Sequence, residues 1–334
     1  MKYREISNTN LKVSVIGLGA LHFGTFLTQK ESRNIVHHAL DAGINFIDTS
    51  PLYGQGQSES IVKNAVNSRR KDVFIATKAG LEAVIRSDGT FGVEVPLISK
   101  EYLRKSVEDS LRALGTDYID LFQLHAFDHQ TPFEETIGCL EQLVQEGKLR
   151  FIGCSNYNAA QLKTATSVIT RNDFISLATA QCHYNLLERR AQHELLQICR
   201  SNRISIICNR ALARGILTGK YKHGKPLPYG CRAAVSYRIK RCLSKKTLNL
   251  VEALKKFSSE YSRTVTELAI AWLLSYNDVS TVLVGVRDIL QLDICLQSVG
   301  WTLQKEDMLI VDEIIERMGL KNQVDSFPEN FLEK

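Results

Sequence analysis

Asp48 and Tyr53 share the stretch DTSPLYG, straight after the apolar run INFI, while Lys78 closes DVFIATK and His125 closes YIDLFQLH. A carboxylate, a phenol, an ammonium and an imidazole suit one reaction: protonating a carbonyl oxygen while a hydride reaches its carbon. The acid in such a step works best with a pKa near the operating pH, and a free tyrosine titrates at about 10. Lowering that by about two to three units takes roughly 3–4 kcal/mol. One ammonium about 4 Å away supplies on the order of 4 kcal/mol at an effective dielectric of 20. The expected division of labour follows. Asp48 holds Lys78 and keeps it charged, Lys78 depresses the pKa of Tyr53, and His125 orients the carbonyl or shares in the proton transfer.

Taken singly, each residue has a plainer reading. An Asp after a strand is usually a cap, a loop Tyr usually packs, a strand-end Lys is usually on the surface, and a His there is often a satisfied structural group. The catalytic reading requires elements that bring all four together. Short apolar, β-branched runs at 13–19, 44–50, 72–78, 118–125, 149–156, 177–185, 204–212 and 279–286 read as strands buried on both faces. Helical patterns fill the gaps. Thr28 with Glu31, Thr131 with Glu134, and Thr264 with Glu267 have capping-box spacing, and Pro132 suits a first helical position. The stretch 99–115 carries a helical stripe of Leu103, Val107, Leu111 and Leu114, with Gly115 as its stop.

Repeated strand–helix units build either a closed (β/α)8 TIM barrel or a doubly wound open sheet. The length favours the barrel. So does the first strand's GLGALHFG, which lacks the G-x-G-x-x-G helix start of an open dinucleotide fold. The expectation is one domain over 1–334, with an N-terminal β segment and long loops at the C-terminal face. Those loops are residues 80–98 and 213–243. In a barrel the strand ends share one rim, where active sites lie. Asp48, Tyr53, Lys78 and His125 then converge there, joined by Ser155 and Asn156 from the fifth strand and Gln181 from the sixth.

Composition narrows the remaining classes. With 44% hydrophobic and 23% charged residues, a sizeable core is possible and disorder is not expected. The formal charge of +6 suits an anionic ligand without implying nucleic acid. The basic run RIKRCLSKK (238–246) reads as a solvated helix start or loop. No transmembrane run or signal-peptide h-region is present, and the eight cysteines form no C-x-x-C pair, which points to a cytoplasmic protein with reduced thiols. No histidine pair has zinc-ligand spacing, so no metal site is expected.

On these motifs the sequence resembles the aldo-keto reductase family of (β/α)8-barrel carbonyl reductases. LKVSVIGLGALHFG, INFIDTSPLYGQGQSE, LRALGTDYIDLFQLH, EGKLRFIGCSNY and ARGILTGKY are similar to family signatures spread over nearly the whole chain. The resemblance places Asp48, Tyr53, Lys78 and His125 on the family's catalytic tetrad, with Tyr53 as proton donor. It implies NADP(H), or NAD(H), as cofactor. Ser155, Asn156 and Gln181 match residues that hold the nicotinamide carboxamide. Leu212, Gly215 and Lys220 match the loop along the pyrophosphate. Gly285, Arg287 and Gln291 match the adenosine end, where Arg287 suits a 2′-phosphate, with Arg232 a second phosphate ligand.

Three departures stand out. Asn209, Arg210 and Ala211 replace an aromatic-Ser-Pro sequence whose aromatic stacks on the nicotinamide; Asn209 and Arg210 are nonetheless expected at the cofactor, Arg210 on the pyrophosphate. Cys295 stands where an adenine-binding Asn is usual. Asp288 follows Arg287, and a carboxylate there repels a 2′-phosphate. The substrate expected is a small aldehyde, ketone or sugar carbonyl, with no nucleic-acid or membrane partner. Two other functions compete: a slow cofactor-binding subunit resembling potassium-channel β subunits, and a lyase using Lys78 as a Schiff-base nucleophile. The loop stretches 87–92 and 221–230 and the C-terminal segment 322–334 are the candidates for shaping or closing the mouth.

Overall fold

The computed structural model describes residues 1–85 and 91–319. An antiparallel pair, β1 (Tyr3–Glu5) and β2 (Lys12–Ser14), comes first. Then come β3 (Ile16–Gly19), β4 (Phe46–Asp48), β5 (Phe74–Ala79), a hairpin of β6 (Glu82–Ile85) and β7 (Phe91–Glu94), β8 (Ile119–Leu124), β9 (Leu149–Ser155), β10 (Thr179–His183), β11 (Ser205–Asn209) and β12 (Val279–Val284). Strands β3, β4, β5 and β8 to β12 pair in parallel around a closed eight-stranded barrel, β12 returning to β3 through Leu283 and Gly17. These are the eight expected strands, in the expected order, and the fold is a (β/α)8 TIM barrel.

The helices are α1 (Gln29–Asp41), α2 (Ser58–Val66), α3 (Lys100–Leu114), α4 (Phe133–Gln145), α5 (Ala159–Asn172), α6 (Leu195–Ser201), the short α7 (Arg232–Val235) and α8 (Tyr237–Arg241), then α9 (Lys245–Glu260), α10 (Val265–Leu274), α11 (Ile289–Gln297) and α12 (Lys305–Arg317). Among the described residues no helix is long and apolar enough to cross a membrane.

The double-faced apolar strands have two jobs. Outward side chains such as Ile47, Ile75, Phe122 and Ile206 join the helix layer in the main core. Inward ones, Phe46, Ala76, Leu121, Ile207 and Leu283, fill the barrel and meet Ile6, Leu11 and Val13 of the N-terminal hairpin. The hairpin thus plugs the end opposite the functional rim. This explains why the first strand, expected over 13–19, is split. Val13 belongs to the plug and Ile16 to the barrel wall. Inside the barrel space is scarce: a Cβ on Gly153 would lie 2.2 Å from Thr179 Oγ1 and 2.9 Å from its carbonyl oxygen.

Local signals mostly act as expected. Thr28–Glu31 and Thr264–Glu267 form capping boxes on α1 and α10. Ser99 caps α3, and Gly115 ends it at a φ of 60°. The Thr131–Glu134 box does not form. Asp128, a stronger charged acceptor close by, takes the Thr131 hydroxyl at 2.6 Å and the Gln130 N–H at 2.7 Å. Glu134 pairs with Arg171 instead, and Pro132 occupies the cap position just before α4. The loop expected over 80–98 contains the β6–β7 hairpin; part of the stretch 87–92 and all of 322–334 lie outside the described residues. The 213–243 loop holds a 3-10 segment (Ala213–Thr218) besides α7 and α8. The basic run 238–246 spans the end of α8 and the start of α9. It buries Ile239 and Cys242 and leaves Lys240, Arg241 and Lys245 exposed.

Candidate active site

Strand register explains why distant residues meet. Asp48 pairs with Ala76, Lys78 with Gln123, and Ser155 with Gln181, so all point into the barrel near its C-terminal rim. Lys78 Nζ lies 2.7 Å from both Asp48 carboxylate oxygens and donates to the Thr49 carbonyl at 2.8 Å. Neither side chain is open to solvent, at 0% for Lys78 and 4% for Asp48. Gln181 donates to Asp48 Oδ1 at 2.8 Å, and Gln123 approaches the same oxygen at 3.4 Å. Burial pushes the Lys78 ammonium toward neutrality, but Asp48 and Tyr53 outweigh it, and its pKa stands above the ordinary lysine value. Lys78 is therefore charged at neutral pH, as expected of an amine held by a buried carboxylate.

The Lys78 ammonium sits 5.1 Å from the Tyr53 ring centroid, and the Tyr53 and His125 rings meet edge to face at 6.2 Å. One expectation is corrected here. Lys78 does pull the Tyr53 pKa down, but desolvation is larger and Asp48 pushes the same way as desolvation, so the phenol stands above its ordinary value. The earlier arithmetic treated the ammonium as a lone charge. It left out the desolvation of the phenolate, the largest effect here, and the opposing charge of Asp48. Tyr53 is consequently fully protonated near neutral pH. His125 is buried and neutral: desolvation, then Lys78, hold it well below the usual histidine value.

The residues expected at the cofactor line the same rim. Ser155 Oγ is buried without a partner, as is Asn209 Oδ1. Asn156 takes a φ of 59° and donates its amide to the His125 carbonyl at 2.9 Å. Gly215, at a φ of 94°, has no Cβ to crowd the Lys220 ammonium, which would lie 3.0 Å from one. The Leu212 carbonyl accepts from Gly215 at 2.8 Å and closes that turn. Lys220 and Arg232 are lowered mainly by burial, and both are lowered further by Arg287. The three form a cationic group beside Gly285, near His22, whose pKa falls to about 3 through burial and those charges. Arg210 reaches His183, its Nη1 2.9 Å from His183 Nδ1; burial, then Arg214 and Arg232, lower its pKa to about 9.

At the end of β12, Arg287 stacks 4.0 Å over Phe26 and donates to the Gly230 carbonyl at 2.6 Å, while its Nη2 is buried without a partner. Asp288 does not face Arg287. It caps α11, accepting the Gln291 N–H at 2.8 Å and the Gln291 amide at 2.6 Å. Cys295 is buried, and burial pushes its thiol up to about 12. It belongs to the core. All eight cysteines are free, and among the described residues no cluster suits a metal ion.

Comparison with known proteins identifies the family of this barrel. The model of the Aldo/keto reductase family matches residues 15–316. The chain belongs to the aldo/keto reductase family. It is similar to the aldo-keto reductase YhdN of Bacillus subtilis, 33% identical over 95% of this chain and 94% of that protein. It is 29% identical to an L-glyceraldehyde 3-phosphate reductase of Escherichia coli, over 94% and 92%. Among solved structures it resembles the glycerol dehydrogenase of Gluconobacter oxydans, with a TM-score of 0.82 and 30% identity over 95% and 96% of the two chains.

In this aldo/keto reductase family oxidoreductase, three residues near the chemistry escaped the sequence reading. Gln123 and His183 lie one alternation from His125 and Gln181 on the same strands, so period two alone would have found them. His22 follows the end of β3 at the rim, and the strand-end rule would have found it. The geometry generates one stability prediction. Asp48→Asn leaves the Lys78 ammonium buried with a neutral partner, and breaking such a pair costs about 3–5 kcal/mol. Denaturant unfolding at pH 7 should show that loss; a change under about 1 kcal/mol would mean the pair is not held out of water.

Proposed function

We propose that this chain transfers a hydride between NADP(H) and a small aldehyde, ketone or sugar carbonyl, with Tyr53 as the proton donor. One observation carries the reading: a charged lysine, a protonated phenol and a neutral imidazole stand together at the barrel mouth, with the lysine anchored on a buried carboxylate. The carbonyl oxygen accepts from neutral His125 and from the Tyr53 hydroxyl. Tyr53 passes its proton to that oxygen as negative charge develops there. The phenolate left behind is stabilised by Lys78, which Asp48 holds in place.

The cofactor supplies the hydride, and the rim suits it. Ser155 Oγ and Asn209 Oδ1 are buried polar atoms without partners, as a carboxamide site needs. Lys220, Arg232 and Arg287 offer concentrated positive charge for phosphates. NADP(H) is favoured over NAD(H) because Arg287 Nη2 lacks a partner and the Asp288 carboxylate is turned to its own helix. The names of the Escherichia coli and Gluconobacter oxydans relatives support small carbonyl or polyol substrates. A second reading, a slow cofactor-binding subunit, draws on 32% identity to a probable voltage-gated potassium channel subunit beta of Oryza sativa. Turnover separates the two readings.

Purified protein should oxidise NADPH with a nitrobenzaldehyde. Tyr53→Phe should lower kcat by about a hundredfold or more while NADPH still quenches protein fluorescence; an unchanged rate removes Tyr53 from the chemistry. The reduction rate should stay flat from about pH 6 to 9 and fall only as the phenol ionises above about pH 10. An inflection near pH 6.5 would instead mean that His125 titrates. Arg287→Ala should raise the Kd for NADPH by about ten- to a hundredfold, as for a lost charge-assisted hydrogen bond, and leave that for NADH nearly unchanged. Equal losses would refute the 2′-phosphate role.

A further inference from the structure

His183 closes β10 and Asn209 closes β11, and the two are register partners. Both stand on the rim that carries Ser155 and Gln181. Arg210 follows directly, at a φ of 54°, in the left-handed region that L side chains rarely adopt. Two hydrogen bonds keep it there: the Arg210 carbonyl accepts the Ala213 N–H at 2.7 Å and the amide of fully buried Asn185 at 2.9 Å. A costly backbone conformation held by surrounding bonds is a mark of functional positions.

The side chain is placed as deliberately. Arg210 Nη1 is 2.9 Å from His183 Nδ1. A guanidinium only donates, so Nδ1 accepts, and the neutral ring carries its proton on Nε2. This corner connects to the catalytic pair through Gln181, which donates to Asp48 at 2.8 Å and accepts from Asn209 at 3.2 Å. Arg210 and Tyr53 also lie within electrostatic reach: each shifts the titration of the other. Beside the phenol that would protonate a carbonyl there is thus a positive charge with N–H donors in a fixed fork, next to an imidazole N–H. That set matches a carboxylate or phosphate.

We propose that Arg210 and His183 recognise an anionic group, a carboxylate or a phosphate, on the carbonyl substrate, so that short acidic aldehydes or ketones are preferred over neutral ones. The inference rests on the carbonyl-reductase reading above. Phosphates of a cofactor are a different destination for Arg210. Lys220, Arg232 and Arg287 gather at the phosphate end; Arg210 feels the charge of Arg232, but its guanidinium is hydrogen-bonded to His183.

The test uses two congener pairs with the full-length protein and NADPH: succinic semialdehyde against butanal, and glyceraldehyde 3-phosphate against glyceraldehyde. The wild type should favour the acidic member of at least one pair in kcat/KM by about ten- to a hundredfold, and the pair that shows it tells carboxylate from phosphate. Arg210→Ala should collapse that ratio toward one, and Arg210→Lys should restore part of it. Comparing congeners on the same variant cancels effects common to both, including partial loss of folding or of cofactor affinity. A wild-type ratio near one in both pairs overturns the proposal. So does an Arg210→Ala ratio equal to the wild type's with both rates reduced, which assigns Arg210 to the cofactor or the fold. No NADPH oxidation with any of the four aldehydes sinks the carbonyl-reductase reading itself, and this inference with it.

Discussion

The ion pair between Lys78 and Asp48 organises the rim. Two charges taken out of water need short contacts and further hydrogen bonds to be tolerated, and the structure supplies both. Lys78 meets both carboxylate oxygens and the Thr49 carbonyl, while Gln181 donates to Asp48 from across the barrel. Satisfying one pair therefore ties together β4, β5 and β10. The same pair bears on the titration of Tyr53. A lysine locked this way does not make Tyr53 acidic in the resting site, because burial of the phenol outweighs it and its counter-charge opposes it. Burial, with Asp48, keeps the phenol protonated against the pull of Lys78; in the proposed reaction the ammonium acts on the charge that would develop during proton transfer. A preorganised charge acts most strongly on charge that appears in the transition state.

Around this centre the rim is rich in cations. At one end burial lowers Lys220 and Arg232, and the charge of nearby Arg287 lowers both further. Asp288, the nearest acid in sequence, spends both oxygens on capping α11. At the end of β11 Asn209 stands where the resemblance implied an aromatic face, and Arg210 follows it, hydrogen-bonded to His183 of β10. The mouth of this barrel is consequently more polar and more positive near the reacting centre than the resemblance implied.

Much of this was legible in the sequence. Buried strands advertise themselves by apolar residues on both faces, so the eight barrel strands and their order followed from the runs alone. Two capping boxes did too, since the bonds are local. The Thr131 box failed because Asp128, close by in the chain, offered a charged acceptor that spacing rules ignore. The split of the first strand escaped because Val13 and Ile16 are equally apolar. Only the plug beneath the barrel tells them apart.

The sequence by itself pointed to the barrel, its rim and four candidate side chains at that rim, because strand ends and alternation are set by neighbours along the chain. Only the tertiary structure decided how those groups titrate and where the flanking charges point. The Tyr53 pKa depends on the sum of burial, Lys78 and Asp48. The direction of Asp288 depends on an N-terminus that needs capping. The post of Arg210 depends on a histidine brought beside it by the pairing of β10 and β11. Desolvation and Coulomb interactions act through space, between residues that sequence distance does not relate.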